Sequence, residues 1–416
     1  MTRRLILCLD GTWNSNDKSD KVTNVVKLLR SVPSVDSRGT SQILYYGRGV
    51  GTGNGEKLRG GFSGAGLDAN IIDGFRFLGN NYHPGDEIYL FGFSRGAYTA
   101  RSLAGLINLA GIFCSACLGR PLEKLLDIWR DRTLSREEKQ AAINRIPDVH
   151  RHEHVQIKCV GVWDTVGSLG IPGDLAKQLS LASRWYFHDV HLGPHIDVAL
   201  HALAIDEKRG AFPPTLWEKP IGQPLPPGQV VEQVWFPGVH SNVGGSYPDD
   251  RLSDIALDWM IKRLRRHTPL EITGLGLNPA NLPVEKCVQG KGIESRTTLY
   301  MTSYPYPYLR TLCSVLTPPT GKVDGMIRNL FKPENSRRNL PESNEETVNE
   351  YLHISALLRW RLPQVQHDLA EDKDSPLQPY RPPNLAALIS GRKGKKIDVV
   401  GWDGEVMAAN EIPWPE

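Results

Sequence analysis

Residues 92–96 read Gly92-Phe93-Ser94-Arg95-Gly96, a serine set between two glycines in the pattern G-x-S-x-G. In that pattern the serine stands on a sharp turn from a strand into a helix. The flanking glycines let the backbone fold back without collision, and the hydroxyl projects above the sheet edge. The context fits: Ile88-Tyr89-Leu90-Phe91 reads as a strand before the serine, and Ala97-Tyr98-Thr99-Ala100-Arg101-Ser102-Leu103 as a helix after it. Ser94 is the candidate nucleophile. A serine at its ordinary pKa attacks poorly, so it needs a base, and the base needs an orienting acid. Asp164, after Cys159-Val160-Gly161-Val162-Trp163, and His240, shortly after Trp235-Phe236, follow Ser94 in the order serine, acid, histidine. Both sit past the carboxyl ends of predicted parallel strands, which gather on one edge of a sheet. The plainer alternatives are a capping or turn aspartate and a backbone-bonded loop histidine. Acyl transfer also demands donors for a developing oxyanion. The N–H of Arg95 is one candidate. The other is the N–H of Gly11 or Thr12 in Asp10-Gly11-Thr12-Trp13-Asn14, where Gly11 permits close backbone approach.

Other residue groupings point to chemistry less well. Leu9-Asp10-Gly11-Thr12 is half of a D-x-D-G-T phosphatase motif, but Cys8 stands where the aspartate nucleophile belongs. The five glycines of residues 47–55 form neither a G-x-x-x-x-G-K-[ST] nor a G-x-G-x-x-G cradle. His150, His152 and His154 alternate and His188, His191 and His195 cluster, without a recognised ligand spacing. Cys114 and Cys117 make a lone C-x-x-C, read as two small core residues on a helix. The basic run at 392–396 reads as a solvated turn, with a possible affinity for membrane surfaces. No metal and no cofactor is expected.

The elements that position these residues are legible in outline. Apolar runs at 5–9, 43–46, 87–91, 155–163 and 230–236 read as strands, and 69–78, 94–108, 198–205 and 255–264 as helices. Strands alternating with helices argue for an α/β fold, a mostly parallel sheet with helices on both faces. Residues 122–146 read as a charged helical insertion within about 118–154. Beyond about residue 270 proline and polar residues dominate. The expected division is a catalytic core over 1–270 and a cap or accessory region over 271–416. That region, with the loop at 171–194, is expected to cover the catalytic edge, its Tyr304, Tyr306, Tyr308, Trp360 and Tyr380 suited to a wet–apolar boundary. The chain has 416 residues, 40% hydrophobic and 23% charged, with a net charge of +3. That is ordinary globular composition, and so small a charge argues against nucleic acid as a partner. No apolar run reaches the ~20 residues of a membrane span. The five apolar residues after Arg3-Arg4 are too few for a secretory leader. A cytoplasmic protein is expected, with signal-independent export left open.

Several motifs together resemble one α/β-hydrolase family, which includes the phospholipase effectors of type VI secretion. They are residues 9–14, Gly92-Phe93-Ser94-Arg95-Gly96-Ala97, Gly161-Val162-Trp163-Asp164-Thr165-Val166 and Pro237-Gly238-Val239-His240-Ser241. Ala204-Ile205-Asp206-Glu207-Lys208-Arg209, Phe212 and Pro214-Thr215-Leu216-Trp217 also look like that family. More thinly, so does Tyr380-Arg381-Pro382-Pro383-Asn384-Leu385. The resemblance covers about residues 3–260. It implies the α/β-hydrolase fold, Ser94 as nucleophile, Asp164 as acid and His240 as base. It also implies ester hydrolysis of lipids, phospholipids first. The sequence departs from the family at Asn242, often aspartate there, and at Ser246, often glycine. The expected function is a serine esterase or lipase acting through an acyl-enzyme. The alternatives are a non-catalytic binding module of the same fold and an acyl or amide hydrolase for a small soluble substrate. Partners are expected to be an ester or phospholipid, with possible peripheral membrane contact. Oligomeric state is not legible.

Overall fold

Leu5, Ile6, Leu7, Cys8 and Leu9 are apolar without alternation, the pattern of a strand covered on both faces. All five are buried in the computed structural model of the chain, where they lie in strand β1 (Arg4–Leu9). The structure describes residues 2–11, 22–49, 64–131, 133–166, 192–209, 212–274, 276–295, 310, 312, 345–369, 377–391 and 397–415. Seven further strands share the sheet of β1: β2 (Gln42–Gly47), β3 (Glu87–Phe93), β4 (Ile157–Trp163), β5 (Ile196–Ala204), β6 (Val230–Phe236), β7 (Glu350–His353) and β8 (Val399–Val400). Their order is β8-β7-β6-β5-β4-β3-β1-β2, and every neighbouring pair is parallel.

The helices are α1 (Asn24–Ser31), α2 (Gly64–Asn81), α3 (Arg95–Ala110), α4 (Arg120–Arg130), α5 (Arg136–Asn144), α6 (His240–Gly244), α7 (Arg251–His267), α8 (Ile354–Arg361) and α9 (Pro383–Gly391). The strand pleat divides them. Leu5, Leu7 and Leu9 pack with Phe75 of α2 and Leu103 and Leu106 of α3. Ile6 and Cys8 face the other way, onto Val25 and Leu28 of α1 and Leu252 and Trp259 of α7. This is the expected α/β architecture, a parallel sheet with helices on both faces. β1 has β2 on one side and β3 on the other, so the loops after β1 and β3 part at a topological switch point, where open parallel sheets bind ligands.

One element differs from the sequence reading. Residues 198–205 read as helical, yet Ile196–Ala204 is β5, a central strand between β4 and β6. Val198, Leu200 and Ala202 pack on one face, while Leu203 joins another cluster. A short run that is apolar on both faces carries no period to tell strand from helix, and its sheet neighbours decide.

The insertion holds α4 and α5. Ser135 and Glu138 form a reciprocal capping box at the start of α5. A short antiparallel pair, Ile112–Phe113 with Arg151–His152, closes its base. Strands β7 and β8 come from beyond residue 270 and extend the sheet past β6, so both sides of the expected boundary share one sheet. Leu352, Leu357, Leu385 and Leu388 from that region pack with Leu203 and Trp235. Residues 171–191, Tyr304, Tyr306 and Tyr308 lie outside the described residues. Trp360 is half-buried on α8, and Tyr380 is buried. No helix among the described residues is long and apolar enough to cross a membrane.

Candidate active site

Ser94 follows the last residue of β3 and precedes the first of α3, with backbone angles of φ 59° and ψ −120°. A left-handed φ at a non-glycine residue is a local strain that the surroundings must hold. Its N–H donates to the Trp163 carbonyl at 3.1 Å, which ties the turn to the end of β4. A Cβ on Gly96 would run into the carbonyl oxygens of Leu9 and Asp10, and one on Gly92 into the backbone of Gly96. The two glycines therefore let α3 start hard against β1 and β3, with Ser94 at the switch point.

Asp164 directly follows β4 beside that turn and is fully buried, at φ 39°. Its N–H donates to Ala202 O at 2.7 Å. Its Oδ1 accepts the Ala204 N–H at 2.9 Å, and its Oδ2 lies 2.6 Å from Nδ1 of His240. His240 opens α6 and is itself buried. With Nδ1 turned to the carboxylate, Nε2 is the ring nitrogen left to take a proton. The imidazole lies against Phe93, the residue before Ser94, at 4.6 Å between ring centres, and edge-on to Phe212 at 5.1 Å. The structure thus brings Asp164 and His240 into direct contact and sets both beside the Ser94 turn.

The loop carrying His240 is fixed from several sides. Gly238, at φ 108°, donates its N–H to Asp206 Oδ2 at 2.6 Å, and the Tyr380 hydroxyl donates to the same carboxylate at 3.0 Å. The His240 N–H donates to Glu207 Oε2 at 3.3 Å, and Ser295 Oγ donates to Glu207 Oε1 at 2.8 Å. Asn242, the departure beside the histidine, accepts the Val239 N–H at 3.3 Å and donates to Lys291 O at 3.1 Å. It is a structural brace of the turn.

Arg310 is the group that sequence reasoning missed. Its side chain is fully buried and forks onto Asp164, Nη1 to Oδ1 at 2.5 Å and Nη2 to Oδ2 at 3.0 Å. A lone arginine in a Tyr- and Pro-rich stretch carries no signal for such a role. Burial alone would push the Asp164 carboxyl up, but Arg310 and His240 outweigh it and hold it well below the ordinary carboxylate range. Burial likewise pushes Glu207 up, and Arg209 outweighs it, leaving about 2. Burial lowers His240, with Asp164 opposing. The imidazole is thereby kept neutral, the form that accepts a proton.

The expected oxyanion donors are less uniform. Arg95 opens α3, so its N–H lies at the positive end of a 16-residue helix. The Gly11 N–H donates to its neighbour Asp10 Oδ1 at 2.7 Å, while Thr23 and Tyr46 hydroxyls hold Oδ2, each at 2.9 Å. Thr12 lies outside the described residues. Of the other groupings, Cys8 and Cys159 are buried in strands, and burial pushes both thiols up. Cys114 and Cys117 differ from their reading as two core residues on a helix: Cys117 is buried at the end of a short 3-10 turn, and Cys114, just before that turn, is half-buried. His195 is half-buried, with Nε2 3.0 Å from Ala104 O, whereas His188 and His191 lie outside the described residues. Among the described residues no group of three His, Cys, Asp or Glu is placed to hold a metal ion.

Residues 3–263 match the model of the Tle1-like catalytic domain of type VI secretion phospholipase effectors. An uncharacterized protein of Saccharomyces cerevisiae is 29% identical over 242 residues, which cover 50% of this chain and 32% of the yeast protein. A crystal structure of an uncharacterized protein from Pseudomonas aeruginosa is 18% identical, with a TM-score of 0.36 over 67% of this chain and 48% of that one. The structure of the Tle1 effector bound to the VgrG spike from the type 6 secretion system is 20% identical, with a TM-score of 0.34 over 59% and 51%. The chain spans about a third of the yeast protein's length and about half of each structure's.

Proposed function

The chain belongs to the family of Tle1-like catalytic domains of type VI secretion phospholipase effectors, and from that premise we propose that it is a serine hydrolase cleaving the carboxylic esters of phospholipids. The observation that carries the reading is the 2.6 Å contact of Asp164 Oδ2 with His240 Nδ1, set beside the strained Ser94 turn. Residues 1–270, with the insertion at about 118–154, are the catalytic core in this reading, and 271–416 an accessory region.

Ser94 Oγ attacks the ester carbonyl while Nε2 of His240 takes its proton. Asp164 holds the ring and stabilises the imidazolium. The oxyanion is met by the Arg95 N–H and by a donor from the Gly11–Thr12 turn. Because Asp10 already holds the Gly11 N–H, the second role falls to Thr12 unless that bond opens. The tetrahedral intermediate collapses, the C–O bond to the alcohol breaks, and the alcohol leaves with the proton from His240. Water then attacks the acyl-enzyme, His240 takes a proton from it, and the acid departs as Ser94 recovers its own. A lipid ester lies in or on a bilayer, so contact with the membrane surface is peripheral and transient.

The test is Ser94→Ala, which removes one hydroxyl from a turn. Turnover of a short-chain ester and of phospholipid vesicles is expected to fall about 10³-fold or more, with the fold unchanged by circular dichroism. Fluorophosphonate labelling, followed by mass spectrometry, is expected to mark Ser94 in the unaltered chain. A variant keeping more than about a tenth of the wild-type kcat sinks the nucleophile assignment.

A further inference from the structure

Arg310 lies beyond the matched residues 3–263, yet its guanidinium ends inside the candidate active site. Besides Asp164, Nη1 donates to Ala204 O at 2.9 Å and Nη2 to Phe212 O at 2.7 Å. Both carboxylate oxygens and two fixed carbonyls therefore define one orientation of the fork. Ala204 ends β5, and the Phe212 ring lies edge-on to His240. Such a guanidinium cannot turn without losing bonds on both sides, and a bidentate fork fixes the carboxylate plane as a point charge does not.

Charge matters as much as orientation. A fully buried carboxylate without a countercharge is costly, and one facing only an imidazole draws a proton onto that imidazole. Arg310 supplies the countercharge, directly against both oxygens of Asp164. Among the described residues, the other ionisable groups facing the pair are Glu207, Arg209 and His201. Glu207 and Arg209 bond to each other at 2.9 Å beside His240, so their charges largely offset. His201, beneath Asp164, accepts the Thr165 N–H on Nε2 at 3.2 Å and is held neutral by burial.

We propose that Arg310 is a positioning residue for this site, supplied by the region outside the matched catalytic domain. Its fork sets the plane of the Asp164 carboxylate and shares its charge, so His240 stays an effective base at lower pH than an unclamped Asp–His pair allows. The inference rests on the serine-hydrolase reading above.

The experiment uses the full chain as wild type, Arg310→Lys and Arg310→Met. Hydrolysis of a short-chain p-nitrophenyl ester and the rate of fluorophosphonate labelling are followed from about pH 4 to 9. The wild-type acid limb of kcat/KM is expected to have its midpoint below the ordinary histidine value of ~6.5. Arg310→Met is expected to move that limb up by about one pH unit or more, since a cation near the pair is gone. Its plateau kcat should fall about 10²-fold, with KM changed by less than about 2-fold, because the carboxylate loses its fixed plane rather than the substrate its contacts. Arg310→Lys keeps the charge without the fork, so its limb stays near wild type while its plateau drops. A merely structural brace moves melting temperature and active fraction but leaves the limb in place. A folded Met variant whose limb coincides with wild type overturns the inference. So does a wild-type limb at or above ~6.5. Should Arg310→Met fail to fold, a Lys variant with an undiminished plateau overturns it as well. A wild-type chain that neither labels nor turns over ester takes down the hydrolase reading instead, which separates the two failures.

Discussion

Asp164 and Asp249 are both aspartates partnered by arginine, but only one faces the histidine. Asp249 pairs with Arg251 at 2.5 Å and accepts the Lys291 N–H at 3.0 Å. In the proposed triad, Asp164→Asn puts an amide between His240 and Arg310. It removes the charge that stabilises imidazolium and leaves the buried Arg310 without a counterion. Turnover is expected to drop about 10³-fold or more, and stability by about 3–5 kcal/mol. Asp249→Asn is expected to stay within about 3-fold of wild type. Steady-state kinetics with denaturation curves on the two variants checks this, and equal damage to both moves the acid role away from Asp164. At this scale the sequence was informative where chemistry demands a fixed local pattern or chain order. G-x-S-x-G marks Ser94, and Asp164 and His240 follow it at strand ends. Arg310, Glu207 and Tyr380 act only through contacts between distant segments, which no local pattern records. Asp206 and Glu207 belong to the motif Ala204-Ile205-Asp206-Glu207-Lys208-Arg209, but their hold on the His240 loop is visible only in three dimensions.

The strand–turn–helix unit of β3, Ser94 and α3 is where a single methyl group has opposite consequences at two glycines of one helix. A Cβ on Gly96 meets the backbone of Leu9 and Asp10, which cannot swing aside, whereas one on Gly105 meets nothing within 4 Å. Gly96→Ala is therefore expected to cost about 1–3 kcal/mol and to slow labelling of Ser94, because α3 must back away from β1. Gly105→Ala should be neutral or stabilising by up to ~1 kcal/mol, as alanine is the better helix former. Urea denaturation of the pair settles it, and a Gly96→Ala protein as stable and reactive as wild type would show the turn to be loosely packed. Elements with a clear period or a flanking turn signal were legible, α2, α3 and α7 among them. β5 was not, because Val198-Ala199-Leu200-His201-Ala202-Leu203 is apolar on both faces and good helix formers dominate it. Its place in the sheet comes from β4 and β6 on either side. β7 and β8 were hidden for another reason: they are short strands from a proline-rich region, recruited to a sheet begun hundreds of residues earlier.

Among the described residues, His201 and His353 are buried and His195 is half-buried; none of the three takes part in the proposed chemistry, and they set the molecule's response to acid. His195 sits under Ala104, His201 lies in the middle of β5, and His353 is stacked on Phe236 and edge-on to Trp402. Burial holds their pKa values down to about 4, about 3 and about 3. In the unfolded chain each binds a proton as pH falls through ~6.5. In the fold each stays neutral far below that value. Between about pH 6.5 and 4 the unfolded chain therefore binds more protons, so stability rises with pH and is lost as pH falls. Each group adds a slope of up to ~1.4 kcal/mol per pH unit, and the three together roughly 4. His240, also lowered by burial, acts in the same sense. Below about pH 4 Asp164 and Glu207 add to the loss, since their folded pKa values lie under the unfolded ones. Over the ~1.5 pH units from 6.5 to 5 this amounts to at most ~6 kcal/mol, a large part of a total stability of ~5–15 kcal/mol, so the wild type is expected to be markedly weaker at pH 5 than at pH 7. Urea midpoints at pH 7, 6 and 5 measure the slope. His353→Gln, which cannot titrate, should remove about a third of it even if it lowers stability at pH 7, where its lost contacts with Ser355 at the start of α8 would show. Equal midpoints at pH 7 and 5 in the wild type would mean that these rings are protonated in the fold.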